Sequence, residues 1–178
     1  MATIKNFDRK GGFKLDGYKE IQPSAKLKPE QHAQLFDTLV AHTDLTQNAE
    51  VIGNAEPILS ISGYNDIVFS MDVVKVLPKE GVSRFLIAAL LQDGRFKAHA
   101  LGYVNGTTVL HLSKKALPEF ELLLPTDLEE LAPLANTVEA MYRKIADNID
   151  ESTHLANLRN TLLPRLMSGE LDVSNIDL

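Results

Sequence analysis

The chain has no cysteine among its 178 residues. Disulfide bonds and thiolate metal sites are therefore excluded. Long apolar runs are missing too, since no stretch reaches the length that a membrane-spanning helix needs. Residues 1–20 are polar and basic and lack the apolar core of a secretory signal. These absences predict a cytoplasmic protein that works without a metal.

Patterns typical of catalysis are scarce as well. The five histidines show no ligand spacing with carboxylates. The glycine-containing turn at residues 102–108 lacks the Gly-Lys-Ser/Thr ending of a phosphate-binding loop. An enzyme that uses His42 or His111 is an alternative, and it would need a carboxylate within hydrogen-bond reach in a pocket. We expect a protein without catalysis, cofactor or metal.

The net charge of −6 is unevenly distributed along the chain. Residues 126–178 hold 4 basic and 10 acidic residues, whereas residues 1–125 hold 14 of each. Within the neutral part, residues 1–28 hold seven bases against three acids, and residues 84–115 hold five against one. If the fold brings these two basic segments together, they form a surface that suits phosphates. The alternative is that these bases are ordinary surface side chains in contact with solvent and do not form a phosphate-binding surface.

Residues 1–125 mix strand and helix patterns and predict a compact α+β domain. The strand candidates are residues 36–41, 57–61, 66–78 and 118–125. A helix is predicted at residues 81–101, with Ser83 as its N-cap and Gly94 as a point where it ends or is interrupted.

From residue 126 to the end, the pattern predicts one long helix with a short polar tail. Thr126 and Glu129 have the spacing of a capping box at its start. Pro133 removes one hydrogen bond early in this helix, so we expect a kink or a restart there. Gly169 marks the end of the helix.

Apolar residues recur along this helix with the 3.5-residue period of a coiled coil. About thirty residues rise ~45 Å, which is longer than so small a domain can cover. We therefore predict a dimer or partner-helix seam made of Leu131, Leu134, Val138, Met141, Ile145, Ile149, Leu155, Leu158 and Leu162. The alternative is a helix that folds back on its own domain.

Two polar segments carry side chains that suit DNA. The first is a predicted loop with His42, Thr43, Thr46, Gln47 and Asn48. The second is a turn and strand with Asn105, Thr107, Thr108, His111, Lys114 and Lys115. Amides pair with adenine, threonine meets a thymine methyl group or a phosphate, and lysine takes phosphate or guanine. The Asn105–Gly106 pair is also a strong hairpin signal, so the alternative is a turn that serves only to reverse the chain.

Residues 101–171 carry a more specific pattern: a glycine- and threonine-rich turn, a short apolar segment, the long helix and a closing signature. The signature residues are Leu155, Leu158, Arg159, Leu162, Leu163, Pro164, Leu166, Ser168, Gly169 and Glu170. In these residues the chain resembles the end of a type I restriction–modification specificity subunit. Residues 35–100 are similar to that family more loosely. The first thirty residues hardly match, and the tryptophan-containing opening of the family is missing.

The resemblance implies a DNA target recognition domain at residues 1–125 and a conserved helical spacer, a coiled coil, at residues 126–178. A full subunit of the family has two such units, each reading half of a split site in double-stranded DNA, so this chain corresponds to a half-subunit or a fragment. It would pair as a homodimer or with a second recognition unit. The subunit has no chemistry of its own, and its partners are a methyltransferase (modification) subunit and a restriction subunit. A coiled-coil protein–protein adaptor that does not bind DNA is the alternative function.

Overall fold

The computed structural model describes residues 1–24, 26–46 and 48–171, and these residues form the predicted α+β fold with a long helix at its end. The strands are β1 (His32–Ala33), β2 (Thr38–Ala41), β3 (Thr43–Asp44), β4 (Ala55–Pro57), β5 (Ile67–Val68), β6 (Val73–Lys75), β7 (Val104–Asn105) and β8 (Leu110–Leu112). The helices are α1 (Arg84–Leu91), α2 (Gly94–Leu101) and α3 (Ala132–Met167). None of the helices in the described part of the chain combines the length and the apolar composition that a bilayer crossing requires.

The strands pair antiparallel in three small sheets, and β2 is the middle strand of one of them. The sheet orders are β1-β5, β4-β2-β6 and β3-β8-β7. Side chains alternate along a strand, so β2 contributes to two apolar clusters. Leu39 packs in one cluster with Ile58, and Val40 packs in the other with Phe96. All four residues of β2 are buried, so this strand lies within the core.

The helix predicted at residues 81–101 is interrupted at Gly94, one of the two outcomes expected there, and the chain continues as a second helix. Ser83 caps α1 as expected, because its hydroxyl accepts a hydrogen bond from the Leu86 amide at 3.4 Å. A second cap then follows: the Asp93 carboxylate accepts from the Arg95 amide at 2.8 Å. A new N-cap lets the chain restart at Gly94 and change direction without leaving the amides of the new helix unpaired.

Three of the strand predictions fail in part or completely. Residues 118–125 form no strand, and Phe120 packs instead against the cluster around Phe96. Of residues 57–61, only Pro57 belongs to a strand. Residues 66–78 hold two short strands, β5 and β6, which a turn around Met71 separates. An apolar run becomes a strand only where a neighbouring strand is in place to accept its hydrogen bonds, and sequence pattern alone does not reveal that neighbour.

The long helix begins later than predicted, so the Thr126–Glu129 capping box is wrong. Asp127 is the cap instead: its carboxylate accepts from the Glu129 amide at 2.9 Å and starts a single 3-10 turn. α3 then begins at Ala132, with Pro133 in its first turn. Proline is tolerated there because the amides of the first turn have no helical partner. Pro133 therefore starts the helix and does not kink it.

α3 has 36 residues, about 54 Å at 1.5 Å per residue, and its two halves have different surroundings. In the first half, Tyr142 and Ala146 are buried, and Val138 packs beside the ring of Phe85 on α1. Asp150 accepts a hydrogen bond from the Ser60 hydroxyl at 2.8 Å. From residue 151 to 167 the helix is exposed, apart from two partly buried positions. The alternative of a helix that folds back on its domain is therefore correct for the first half only.

The predicted seam is divided by this arrangement. Val138 faces the domain. Leu131, Ile149 and Leu162 are partly buried. The exposed seam residues are Leu134, Met141, Ile145, Leu155 and Leu158. An exposed apolar stripe thus remains along α3, on a different side from the one that the domain covers.

Candidate nucleic-acid interface

The two polar segments singled out in the sequence meet on one small sheet. β8 pairs with β3 on one side and with β7 on the other. Thr43 lies opposite His111, and His111 lies opposite Asn105. Because residues paired across antiparallel strands share a face, these three side chains form one row. Leu110 and Leu112 point the other way and are buried, so the row lies on the outer face of the sheet.

The predicted hairpin at Asn105–Gly106 is confirmed, with a longer loop than the usual two-residue turn. Asn105 is the last residue of β7, and residues 106–109 form the connection to β8. Gly106 has a φ of 112°, and a Cβ atom there would lie 2.2 Å from the Val109 carbonyl oxygen. Only glycine fits this position, so the hairpin depends on Gly106 for its shape.

The six side chains that the sequence assigned to DNA in the hairpin and the turn after it are all exposed. The exposed residues are Asn105, Thr107, Thr108, His111, Lys114 and Lys115. The Asn105 side-chain amide donates to the Tyr103 carbonyl at 3.2 Å, which holds it in place. Lys114 and Lys115 follow in the turn after β8. This part of the face presents amide, imidazole, hydroxyl and ammonium groups together.

The loop that follows β3 is organised around one buried carboxylate, Asp44, which is 2% exposed. One of its oxygens accepts from both the amide and the hydroxyl of Thr46, each at 2.8 Å. The other accepts from the amides of Val51 and Ile52, at 2.8 and 3.3 Å. Burial by itself raises the pKa of the Asp44 carboxyl, but these hydrogen bonds outweigh it, and the pKa lies below its ordinary value.

Of the five predicted contacts in this loop, only Asn48 is exposed among the described residues, and Gln47 lies outside them. Thr43 is buried and donates to the Asp72 carboxylate at 3.2 Å. The hydroxyl of Thr46 is bonded to Asp44. Both threonines therefore hold the loop together in this structure and do not present their hydroxyls to a ligand.

His42 lies beneath this face, at the point where β2 passes into β3. Its Nε2 atom is buried and has no hydrogen-bond partner in the described part of the chain. Burial lowers the pKa of His42, the neighbouring His111 and Lys114 lower it further, and Asp72 opposes them. The charged groups that act on His42 are therefore of both signs, Lys114 and Asp72.

Lys97 on α2 holds the same loop from the inside, and the sequence analysis missed this role. Its ammonium group donates to the carbonyl oxygens of Ala49, Glu50 and Ile52 at 3.1, 3.2 and 2.5 Å. A fourth bond, of 2.9 Å, reaches the Asn54 side chain. Burial lowers the pKa of Lys97, and the charge of Asp44 opposes that shift. These partners lie 43 to 48 residues earlier in the chain, so no local spacing signals them.

The two basic segments come together in part, and three of their twelve basic side chains are paired with carboxylates among the described residues. Arg9 lines a cavity of about 260 Å³ together with Lys97. Arg9 also pairs with Glu50, at 3.0 Å. Arg84 pairs with Asp37, and Arg95 with Asp93. Of the second basic segment, Lys114 and Lys115 remain as exposed lysines beside the sheet, so the basic surface is smaller than the count of residues predicts.

No group of three or more histidine and acidic side chains in the described part of the chain is placed to hold a metal ion. The Asp72 carboxylate beside His42 accepts hydrogen bonds from Thr43 and Ser70. The face is therefore a set of polar and basic groups on a sheet and two loops. Comparison of the chain with models of known protein families and with curated protein sequences finds no match in either case.

Proposed function

We propose that this chain is a sequence-specific DNA recognition unit of a type I restriction–modification complex. It would act in the cytoplasm as a non-catalytic adaptor that directs the methyltransferase and restriction subunits to a split DNA site. One observation carries the proposal: the pairing of β3 with β8 joins the loop after Asp44 and the hairpin of β7 and β8 into a single outer face.

The chemistry of this face suits a DNA duplex. The exposed amides of Asn48 and Asn105 offer a donor and an acceptor each, which is the pattern that adenine presents in the major groove. Lys114 and Lys115 are exposed in the turn after β8 and supply charge for phosphates. In protein–DNA interfaces, phosphate contacts fix the position of the protein and base contacts read the sequence, and this face offers groups for both.

The exposed stripe on α3 supports the second part of the proposal, assembly through the helix. Apolar side chains such as Met141 and Ile145 remain exposed beside the half of the helix that the domain covers. The acidic charge of residues 126–178 also favours a protein partner over phosphates. A second copy or a sister unit would cover the stripe, and two copies related by a two-fold axis would read an interrupted palindrome.

Selection from a pool of randomised duplexes tests DNA recognition. The purified chain, alone and with its cognate modification subunit, is expected to enrich one sequence and to bind it less tightly as salt rises. Changing Lys114 and Lys115 to Gln should lower the slope of log Kd against log salt by about one per lysine. Lys79→Gln is the matched control, because Lys79 is exposed and follows the C-terminal end of β6. This substitution should leave the slope unchanged. Binding that is absent, or independent of salt, contradicts the proposal.

A protein–protein adaptor without DNA binding is the second candidate, and the internal pairing of Arg9, Arg84 and Arg95 favours it. It predicts that the chain associates through α3, as measured by sedimentation velocity, and retains no duplex at any salt concentration. Association together with salt-dependent DNA binding would exclude this candidate.

A further inference from the structure

A third element borders the candidate DNA face: the turn Ser70–Asp72, between β5 and β6. The Asp72 carbonyl accepts from the His42 amide at 2.8 Å. Its carboxylate accepts from the Thr43 hydroxyl at 3.2 Å and from the Ser70 hydroxyl at 3.3 Å. The Asp72 amide in turn donates to the Ser70 hydroxyl at 3.3 Å. The turn is therefore bonded both within itself and to the start of β3.

These bonds place the turn at the edge of the outer face. β3 is an edge strand of its sheet, and Thr43 belongs to the outer row with His111 and Asn105. Thr43 is only 5% exposed although it lies in that row. Its hydroxyl contacts Asp72, so the turn lies against the row at the open side of β3.

Met71 stands at the tip of this turn and is 90% exposed. A single exposed apolar side chain is common on protein surfaces. This one, however, lies between Ser70 and Asp72, which both fix the turn, and Asp72 is bonded to His42 and Thr43 of the candidate face. Leu45, the first residue after β3, is 69% exposed. Exposed apolar side chains therefore occur directly after β3, at Leu45, and on the turn that is bonded to Thr43, at Met71.

We propose that Met71 reads a base, by burying its side chain against the C5-methyl group of a thymine in the target duplex. This inference rests on the proposed DNA recognition function. The thymine methyl is the apolar group that base edges present in the major groove. Methionine is unbranched and polarisable, so it adapts to such a contact. Lys114 and Lys115 bring the phosphates of the same duplex to this side of the sheet.

A double-mutant cycle with the duplex enriched by selection tests the contact. Each thymine is replaced in turn by deoxyuridine, which lacks only the methyl group. At one thymine, the loss of affinity should be about fourfold for the wild-type chain, the effect of leaving one methyl unburied. Met71→Ala should lose affinity on the unmodified duplex and no further affinity when that thymine is replaced. Because no charge changes, its salt slope should equal that of the wild type.

Met167→Ala is the matched control, since Met167 is 81% exposed and lies at the far end of α3. It should show the same deoxyuridine losses as the wild type. If the wild type binds selectively but Met71→Ala keeps every deoxyuridine loss, the Met71 contact is overturned and DNA recognition stands. If the wild type binds no duplex, both proposals are overturned.

Methyl NMR provides a second, independent measurement that needs no substitution. The chain has four methionines, so a spectrum of methyl-labelled methionine is simple to assign. Addition of the enriched duplex should shift the Met71 methyl signal and leave the Met167 signal in place. A Met71 signal unchanged at saturating duplex overturns the contact.

Discussion

The loop after Asp44 and the hairpin of β7 and β8 meet on one sheet, yet they are held in opposite ways. In the loop, the polar groups are bonded to one another: Asp44 accepts four hydrogen bonds, and Lys97 donates four. In the hairpin, the shape comes from strand pairing and from Gly106, and the polar side chains point to solvent. Polar residues that look alike in sequence are therefore bonded around a buried carboxylate in one segment and exposed on the surface in the other.

The long helix repeats this contrast with apolar residues. Tyr142 contributes to the domain core and stacks on Phe85, with ring centroids 6.3 Å apart. Leu158, in the second half, is exposed. The position of a residue relative to the domain decides whether its substitution affects folding or assembly, and each of the following substitutions tests that division.

Tyr142→Ala should have the largest effect on folding. It removes a buried ring from the contact with α1, and truncations of buried aromatic residues cost about 3–4 kcal/mol of unfolding free energy. Leu158→Ala is the control in the exposed half and should change the monomer by less than about 0.5 kcal/mol. Urea denaturation at concentrations where the chain is monomeric measures both. Equal losses would show that the two halves of α3 do not differ as described.

Asp44→Asn should lower the unfolding free energy by about 2 kcal/mol at neutral pH, because an amide group would face the amides that now donate to the carboxylate. The pKa of Asp44 lies below its ordinary value, so its charge stabilises the fold above the unfolded pKa of about 3.9. That contribution is lost as the pH falls through the folded pKa. The difference between wild type and variant should therefore shrink below pH 4. Asp16→Asn, at an exposed position, should show no such difference, and a constant gap down to pH 2 would contradict this role of Asp44.

Lys97→Met should have the smallest effect, about 1 kcal/mol, because water can reach part of the freed carbonyl groups. Amide hydrogen exchange should become faster at Val51 and Ile52, where the loop loses its support. Lys115→Met, at an exposed position of the hairpin, should leave both quantities unchanged. If Lys97→Met instead lowers the salt slope of DNA binding as strongly as Lys114→Gln does, then Lys97 meets a phosphate and does not act as an internal support.

Features with a local cause could be predicted from the sequence. The Ser83 cap depends on an amide three residues away, and the end of α3 depends on Gly169, whose φ of 73° suits glycine. The hairpin at Asn105 likewise follows from residues next to one another. The α+β class itself emerged from the same short patterns.

Features with distant causes could not be predicted in this way. The ammonium of Lys97 is buried by carbonyl groups more than forty residues earlier. Residues 118–125 have the composition of a strand but no strand to pair with. On α3, the stripes that contain Met141 and Tyr142 are both apolar, and only the position of α1 determines that Tyr142 is covered. The number of basic residues also overstated the exposed charge, since their carboxylate partners come from other elements.

Two side-chain attachments on α3 have a mechanical consequence. Tyr142 donates to Gln92 at the end of α1, and Asp150 accepts from Ser60, so the helix is fastened at two points about 12 Å apart. Beyond the second point, residues 151–167 extend for about 25 Å, and a tilt of about 10° at the attachments would displace the far end by about 4 Å. The domain therefore sets the direction of the helix. A partner bound at the far end of α3 is positioned by the Tyr142–Gln92 and Ser60–Asp150 hydrogen bonds.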